Sequence, residues 1–239
     1  AESHVDRSID NPRIFINSNI VGTFNLLQVS LKHFNKLSPT RKKHFRFHHI
    51  STDEVFGSLE KDAFFSEETK YDPRSPYSAS KAASDHLVNA WHNTYGLPIS
   101  ITNCSNNYGP WQFPEKLIPL IILKGMEGKK IPLYGDGRNV RDWLYIEDHV
   151  EAILATTFYG NIGKTYCVGG RNQLSNLTVA ESICDLLDKY LEKEFSHKTL
   201  ISFVKDRPGH DKRYAINPNL ISEEIGWIPK FDFEDGLKK

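Results

Sequence analysis

The chain has 239 residues, of which 39% are hydrophobic and 25% are charged, as in an ordinary globular protein. This composition excludes a disordered tail, a collagen and a coiled coil. Lys and Arg together number 30, as do Asp and Glu, so the formal net charge is zero. Because general binders of nucleic acid or of anionic membranes need a basic excess, we expect neither kind of partner.

Helices alternate with strands in the first half of the chain. The spacing of apolar residues and the turn residues between them predict a helix over 12–35, a strand over 45–50, a helix over 77–95 and a strand over 98–104. Polar loops are predicted over 36–43, 58–76 and 105–110. This alternation predicts the α/β class, with a Rossmann-like doubly wound parallel sheet and helices on both faces.

The second half has shorter elements that predict a smaller α+β lobe, interleaved with the sheet domain. Helices are predicted over 117–126, 147–159, 178–190 and 218–225, and strands over 131–135, 140–146, 164–168 and 201–204. A further helix is expected to begin at Phe233. We divide the chain into residues 1–110, the sheet domain, and residues 111–239, mainly the smaller lobe, which we expect to bind the substrate.

Cysteine usage and the termini suggest a compartment. Cys104, Cys167 and Cys184 lie far apart without a CxxC, so we expect reduced thiols and a cytoplasmic protein. The longest mostly apolar run, residues 117–123, is far shorter than the roughly 20 residues of a membrane span. The polar start is not a signal peptide, and because it lacks a Met we expect a piece of a longer protein.

Two polar clusters follow predicted strands, at the sheet edge where open α/β folds bind ligands. Thr52, Asp53 and Glu54 follow the first strand, and Asn106 and Asn107 follow the second. Adjacent carboxyl groups can reach different atoms of one substrate, one as an acid and the other as a base. A solvated turn, or a helix cap made by Thr52 or Asp53, explains the first cluster equally well.

Tyr77 and Lys81 form a YxxxK pattern, which places both on one face of a helix. A nearby ammonium is expected to lower the pKa of the phenol, so that it can take a proton from a sugar hydroxyl while a hydride leaves for a nicotinamide. The pattern also arises by chance on helix surfaces, and only its position after a polar loop favours a site.

Basic residues in the second half are candidates for binding an anion. They are Lys116, Arg141, Arg207 and Arg213. Planar guanidinium groups suit a pyrophosphate, especially in the turn at residues 207–211, although any single arginine is equally a solvated surface residue.

Neither a metal site nor a dinucleotide fingerprint is predicted. On a strand, His44 and His48 would face the same side next to His49, but no carboxylate or cysteine lies at ligand spacing. The glycines at 135, 137, 169 and 170 do not match GxGxxG. The sequence therefore indicates metal-free chemistry and leaves a gap in the argument for a nucleotide cofactor.

Several segments together resemble the extended short-chain dehydrogenase/reductase superfamily, and within it the dTDP-glucose 4,6-dehydratase family. They are residues 1–8, 51–57, 77–81, 106–119, 138–148 and 207–211. The resemblance implies a lyase with catalytic NAD, a dTDP-sugar substrate, a role in deoxysugar (rhamnose) synthesis, and a homodimer for which the helix over 12–35 is a candidate interface. Alternatives are a GDP-mannose dehydratase, an epimerase or decarboxylase of the same fold, and a non-catalytic fragment.

The resemblance also implies residue roles. Tyr77, assisted by Thr52 and Lys81, would deprotonate the glucose 4-hydroxyl, Glu54 would remove the C5 proton, and Asp53 would protonate the leaving 6-hydroxyl. Contacts with NAD are implied for Ser3, Ser18, Tyr77, Lys81 and Asn107. Contacts with the sugar nucleotide are implied for Ser3, Asn106, Lys116, Leu117, Pro132, Leu133, Tyr134, Arg141, Asn176, Arg207 and His210.

The family begins with a strand, a GxxGxxG loop and a helix, which precede the segment that this chain resembles. A helix N-terminus with free backbone N–H groups is what cradles a pyrophosphate. We therefore expect the chain as written to bind NAD more weakly than a protein that has this loop.

Overall fold

The computed structural model describes residues 1–191 and 194–239. In this part of the chain the α-helices are α1 (Val5–Asp10), α2 (Pro12–Phe15), α3 (Gly22–Lys36), α4 (Pro39–His44), α5 (Pro76–Tyr95), α6 (Leu117–Met126), α7 (Ile146–Tyr159), α8 (Asn176–Tyr190), α9 (Asn219–Ile225) and α10 (Phe233–Lys238). The strands are β1 (Phe47–Thr52), β2 (Ile99–Cys104), β3 (Asn106–Tyr108), β4 (Ile131–Tyr134), β5 (Val140–Tyr145), β6 (Thr165–Val168), β7 (Gln173–Ser175) and β8 (Ile201–Val204).

A parallel sheet with the strand order β1-β2-β6 forms the centre of the fold. Its register pairs Thr52 with Cys104, and Cys104 with Val168, so the strands end at one edge. Leu27 of α3 and Val88 of α5 pack in a cluster against one face of the sheet, while α7 and α9 contact β6. The predicted α/β fold with helices on both faces is confirmed.

The second half of the chain contributes to both parts of the molecule. Strand β6 joins the central sheet, whereas β3, β5 and β7 form one small sheet and β4 pairs with β8. Helices α6 and α8 cover these small sheets with a core that includes Ile121, Ile131 and Val179. The interleaving is therefore visible in the topology, and the division at residues 110 and 111 stays a prediction.

Strands β4 and β5 were predicted on either side of the turn at residues 135–138, but they do not pair with each other. β4 pairs in parallel with β8, and β5 pairs in parallel with β3 and antiparallel with β7. Gly135 and Gly137, with φ of 58° and 74°, let the chain turn out of one sheet and into the other.

Two predicted loops contain regular structure. Residues 39–44 form α4, which begins at Pro39 and has no buried residue, so it lacks the apolar periodicity by which helices are recognised. Because His44 ends this helix, the expectation that it shares a strand face with His48 is wrong. Residues 106–108 form β3, which is too short and too polar to show strand alternation.

The predicted helix over 12–35 is longer and less regular than expected. A π-helical segment, Ile16–Val21, joins α2 to α3, and α1 precedes them. By length and composition alone, Pro12–Lys36 is apolar enough to cross a membrane, a test that core helices also pass. Here Leu27 is fully buried, while Leu26 and Val29 are 62% and 67% exposed. The helix therefore has one core face and one exposed apolar face.

Candidate active site

A cavity of about 490 Å³ lies beyond the end of β1, between the segment that leads into α1 and the smaller lobe. Glu54 lines it, together with all the residues that the resemblance assigns to a sugar nucleotide. Those residues are Ser3, Asn106, Lys116, Leu117, Pro132, Leu133, Tyr134, Arg141, Asn176, Arg207 and His210. Side chains from both halves of the chain thus meet at one cavity.

Other lining residues were not singled out from the sequence. They are His4, Val5, Asp6, Glu115, Leu120, Trp143, Val204 and Tyr214. Periodicity points to two of them, because Leu120 lies one helical turn after Leu117, and Trp143 lies two strand positions after Arg141. Tyr214 had no such signal, since its position depends on the bridge between Val140 and Arg213.

Three basic side chains line the cavity together with the acidic side chains of Asp6, Glu54 and Glu115. Arg141 is 5% exposed, and its Nη2 donates to the carbonyl oxygen of Asp211 at 2.9 Å, while its guanidinium stacks on Tyr214 at 4.1 Å. Lys116 Nζ donates to the carbonyl oxygen of Ser3 at 2.8 Å, and Arg207 also faces the cavity. Guanidinium and ammonium groups around one space suit a phosphate or pyrophosphate.

Uncharged polar and apolar groups also line the cavity. The side-chain oxygens of Asn106 and Asn176 are buried and have no hydrogen-bond partner within residues 1–191 and 194–239. Leu117 and Leu133 add an apolar surface beside them. A ligand that fits all of these groups is charged in one part, rich in hydroxyl or amide groups in another, and flat or apolar in a third.

The Thr52-Asp53-Glu54 cluster is both a helix cap and a buried acid pair. A 3-10 helix, Asp53–Phe56, follows β1, and Thr52 Oγ1 accepts a hydrogen bond from the backbone N–H of Glu54 at 3.3 Å. Asp53 is 1% exposed, and its Oδ2 has no partner among the described residues. The solvated-turn interpretation is therefore wrong, while the cap and the candidate acid–base pair coexist.

Burial separates the proton affinities of the two carboxyl groups. Desolvation raises the pKa of Asp53 well above its ordinary value, and the charge of Glu54 adds to that effect. Desolvation also raises the pKa of Glu54, but Arg207, Arg141 and Lys116 oppose it. Asp53 is therefore suited to hold a proton, and Glu54, which faces the cations in the cavity, is suited to be the anion of the pair.

Tyr77 and Lys81 lie in the first turns of α5. Ser75 caps the helix in a reciprocal pair with Ser78, which places Tyr77 against the end of β1. Burial raises the pKa of Tyr77 well above its ordinary value, the charge of Glu54 adds to this, and a hydrogen bond with Thr52 opposes it. The expected lowering of the phenol pKa is thus not met here, because desolvation is the largest effect and Lys81 is not among the groups that act on this pKa.

The similarity of this chain to known proteins agrees with that geometry. The model of the family described as GDP-mannose 4,6 dehydratase matches residues 1–239. A dTDP-glucose 4,6-dehydratase of Shigella flexneri is 55% identical over 248 residues, which cover 100% of this chain and 69% of that protein. The chain belongs to this family, within its dTDP-glucose 4,6-dehydratase branch.

Solved structures of dTDP-glucose 4,6-dehydratases have the same fold. The Streptomyces venezuelae enzyme with NAD bound superposes with a TM-score of 0.90 at 41% identity, covering 99% of this chain and 68% of that one. The Bacillus anthracis enzyme in complex with NAD gives a TM-score of 0.82 at 45% identity, covering 93% and 66%.

The residues implied to contact the cofactor are not all brought together in this dTDP-glucose 4,6-dehydratase homologue. Ser3 lines the cavity, and Tyr77 and Lys81 are buried beyond its lining. Asn107 Nδ2 donates to the carbonyl oxygen of Ser105 at 3.1 Å, and its Oδ1 is unpartnered in the described part of the chain. Ser18 is exposed in the π-helical segment and does not line the cavity.

Proposed function

We propose that this chain carries the active site of a dTDP-glucose 4,6-dehydratase, a hydro-lyase that converts dTDP-glucose to dTDP-4-keto-6-deoxyglucose for deoxysugar synthesis. The observation that carries the proposal is the cavity in which Glu54, beside the buried Asp53, faces Lys116, Arg141 and Arg207. The cations fit the diphosphate, and the carboxyl pair fits the removal of water from the sugar.

The residues present also fit NAD as the cofactor. Lys81 is 5% exposed, and its ammonium donates to the carbonyl oxygen of Ile50 at 2.7 Å, which leaves further donor capacity. The unpartnered Oδ1 of Asn107 is a buried acceptor near the same sheet edge. Lys81, Asn107, Ser3, Ser18 and Tyr77 are the residues proposed to hold NAD. When bound, NAD supplies a hydride acceptor that later returns the hydride.

Proton transfer at the sugar 4-hydroxyl is assigned to Tyr77. Its phenol is buried, so it loses a proton only with help from neighbouring groups. Lys81, one turn along α5, supplies positive charge, and the hydrogen bond with Thr52 favours the ionised phenol. Tyr77 thus takes the proton of the 4-hydroxyl as the 4-keto group forms.

Loss of water is assigned to the carboxyl pair. The 4-keto group acidifies the C5 proton, which Glu54 removes as a carboxylate. Asp53 holds its proton because it is desolvated, and it gives this proton to the 6-hydroxyl as the C6–O bond breaks and water leaves. The two residues are adjacent in the chain and act on adjacent carbons.

Incubation with NAD and dTDP-, UDP- or GDP-glucose, followed by mass spectrometry, tests the proposal. We expect loss of one water from dTDP-glucose, and no such loss with Glu54→Gln. Dehydration of another nucleotide sugar alone would disprove the substrate assignment. A calorimetric titration that detects no binding of NAD would favour the non-catalytic alternative.

We also propose a homodimer that pairs the exposed apolar face of α2 and α3. Leu26 and Val29 are more than half exposed there, although they lie within a helix otherwise suited to a core. Burying such side chains against a second copy removes apolar area from water.

A cytoplasmic location is proposed as well, because Cys104, Cys167 and Cys184 are buried free thiols.

Sedimentation velocity tests the dimer. We expect the double change Leu26→Asp and Val29→Asp to convert a dimer into a monomer, because it places charges in the apolar contact. Phe158→Asp is the control, since Phe158 is 70% exposed on α7, away from this face, and should leave the dimer intact. A wild-type monomer, or a dimer that survives the double change, would contradict the proposal.

A further inference from the structure

Asp85 is a fully buried carboxylate for which the proposed reaction has no role. It lies on α5, one helical turn after Lys81 and two turns after Tyr77. His49 Nε2 shares a hydrogen bond with Oδ1 at 3.0 Å, and Oδ2 accepts from Ser51 Oγ at 2.7 Å, Tyr71 OH at 2.8 Å and Asn103 Nδ2 at 3.5 Å. These groups come from β1, the loop before α5, and β2.

Asp85 thus gathers hydrogen bonds from three elements at one buried carboxyl group. Several hydrogen bonds to one carboxylate favour its charged form, and an anion buried in a protein core is stable only when it is paired. His49 is the basic side chain at ion-pair distance from Asp85. Lys81 lies on the same helix face and is 5% exposed, and its ammonium donates to the carbonyl oxygen of Ile50, whose two chain neighbours both contact Asp85. Burial lowers the pKa of Lys81, whereas the charges of Asp85 and, more weakly, Cys104 raise it.

The same carboxylate also anchors the elements that carry the active site. His49 and Ser51 belong to β1, which ends in Thr52. Asn103 of β2 donates to the carbonyl oxygen of Thr52 at 3.0 Å as well as to Asp85. Asp85 does not line the cavity and does not reach a substrate, so it can act only through its neighbours.

We propose that Asp85 is a positioning residue for the Tyr77–Lys81 pair, whose carboxylate keeps Lys81 an ammonium in a dry environment and ties α5 to the ends of β1 and β2. The inference rests on the proposed function, because it assumes that Tyr77 and Lys81 act together in the oxidation step. The titratable groups near Tyr77, Lys81 and Asp85 are His49, Asp53, Glu54, Tyr71 and Cys104.

Removal of the Asp85 charge has a defined sign. Burial lowers the pKa of Lys81 and the charge of Asp85 opposes this effect. Without that charge, Lys81 loses its proton at a lower pH. The alkaline limb of the pH profile of the oxidation step then moves to lower pH. The dissociation constant for dTDP stays unchanged, because Asp85 does not line the cavity. A residue that only stabilises the fold would not move that limb.

Asp85→Asn in the NAD-loaded enzyme tests this. The carbon-13 shift of Lys81 Cε, assigned by its disappearance in Lys81→Arg, reports the ionisation of Lys81 without turnover. We expect the pKa of Lys81 to fall by about one to three units, and the alkaline limb to move with it. Tyr71→Phe, which removes a donor but keeps the charge, is the matched control and should leave the pKa in place.

Asp85→Glu keeps the charge, so the pKa of Lys81 should stay close to its wild-type value in this variant. An unchanged pKa of Lys81 in Asp85→Asn, or an equal shift in Tyr71→Phe, would overturn the proposal. If Asp85→Asn does not fold, the carbon-13 titration of Lys81 in the wild-type enzyme still tests the proposal. A Lys81 amine that is neutral at neutral pH would contradict it. Failure of the wild-type enzyme to dehydrate dTDP-glucose would contradict the proposed function but leave this titration readable.

Discussion

Glu54→Gln should lower the rate of water loss from dTDP-glucose by about 10²–10⁴-fold, the usual effect of removing a positioned base. The amide keeps the size of the side chain but cannot accept the C5 proton. Oxidation at C4 does not need Glu54, so the absorbance of the reduced nicotinamide should build up in a single turnover. Exchange of the C5 proton with solvent deuterium should fail.

Asp53→Asn is the matched control for this result. It removes the proton donor for the 6-hydroxyl while leaving the base in place, so C5 exchange should persist although water is not lost. The two neighbouring changes therefore block different steps. Exchange at the wild-type rate in Glu54→Gln would show that another group is the base.

The pH dependence of the dehydration step follows from the same pair. Burial raises the pKa of Glu54, so the base is lost as the pH falls through a value above the ordinary range of a glutamate. Burial raises the pKa of Asp53 further, so its proton is lost only as the pH rises through a value well above that of an ordinary aspartate. We expect the rate of dehydration to have a bell-shaped dependence on pH. Glu54→Gln should remove the fall in rate on the acid side.

Tyr77→Phe should block the oxidation itself, with a loss of about 10²–10⁴-fold in the formation of reduced nicotinamide. Phenylalanine keeps the buried ring, which packs edge-to-face on Phe15 at 6.3 Å between centroids, but it cannot take the hydroxyl proton. Binding of dTDP, measured by calorimetry, should stay the same, because dTDP lacks the sugar whose 4-hydroxyl Tyr77 is proposed to contact.

Tyr95→Phe is the control for this prediction, since Tyr95 lies at the end of the same helix and is 53% exposed. It should form reduced nicotinamide at the wild-type rate. Normal oxidation in Tyr77→Phe would mean that Thr52 or another group accepts the proton, and the assignment of Tyr77 would be wrong.

Local features of the site followed from the sequence alone. The placement of Tyr77 and Lys81 on one helix face depends only on a four-residue spacing and on the helix boundary at Pro76 and Gly96. The position of Thr52 at a strand end depends on one short apolar run followed by polar residues. Both features depend on residues that are close in the sequence, so apolar periodicity and turn residues were sufficient to predict them.

Other local features were hidden because their residues do not form a pattern. Helix α4 has no buried side chain, and β3 has three residues. Helix α1 has six residues, of which only Ser8 is buried. Apolar residues recur periodically in a sequence when one face of a helix or strand is buried. An element that buries no face therefore lacks this spacing and is not predicted.

The tertiary structure alone decided the chemistry of the site. Glu54, Arg141 and Arg207 are far apart in the chain, and only the tertiary structure brings the end of β1, the small sheet that contains β5 and the turn after β8 to one cavity. The direction of the Tyr77 pKa was predicted wrongly from the sequence, because spacing reveals a nearby ammonium but not the loss of water around the phenol. Desolvation depends on everything packed around a group, so the directions in which the pKa values of Asp53, Glu54 and Tyr77 shift were decided by packing.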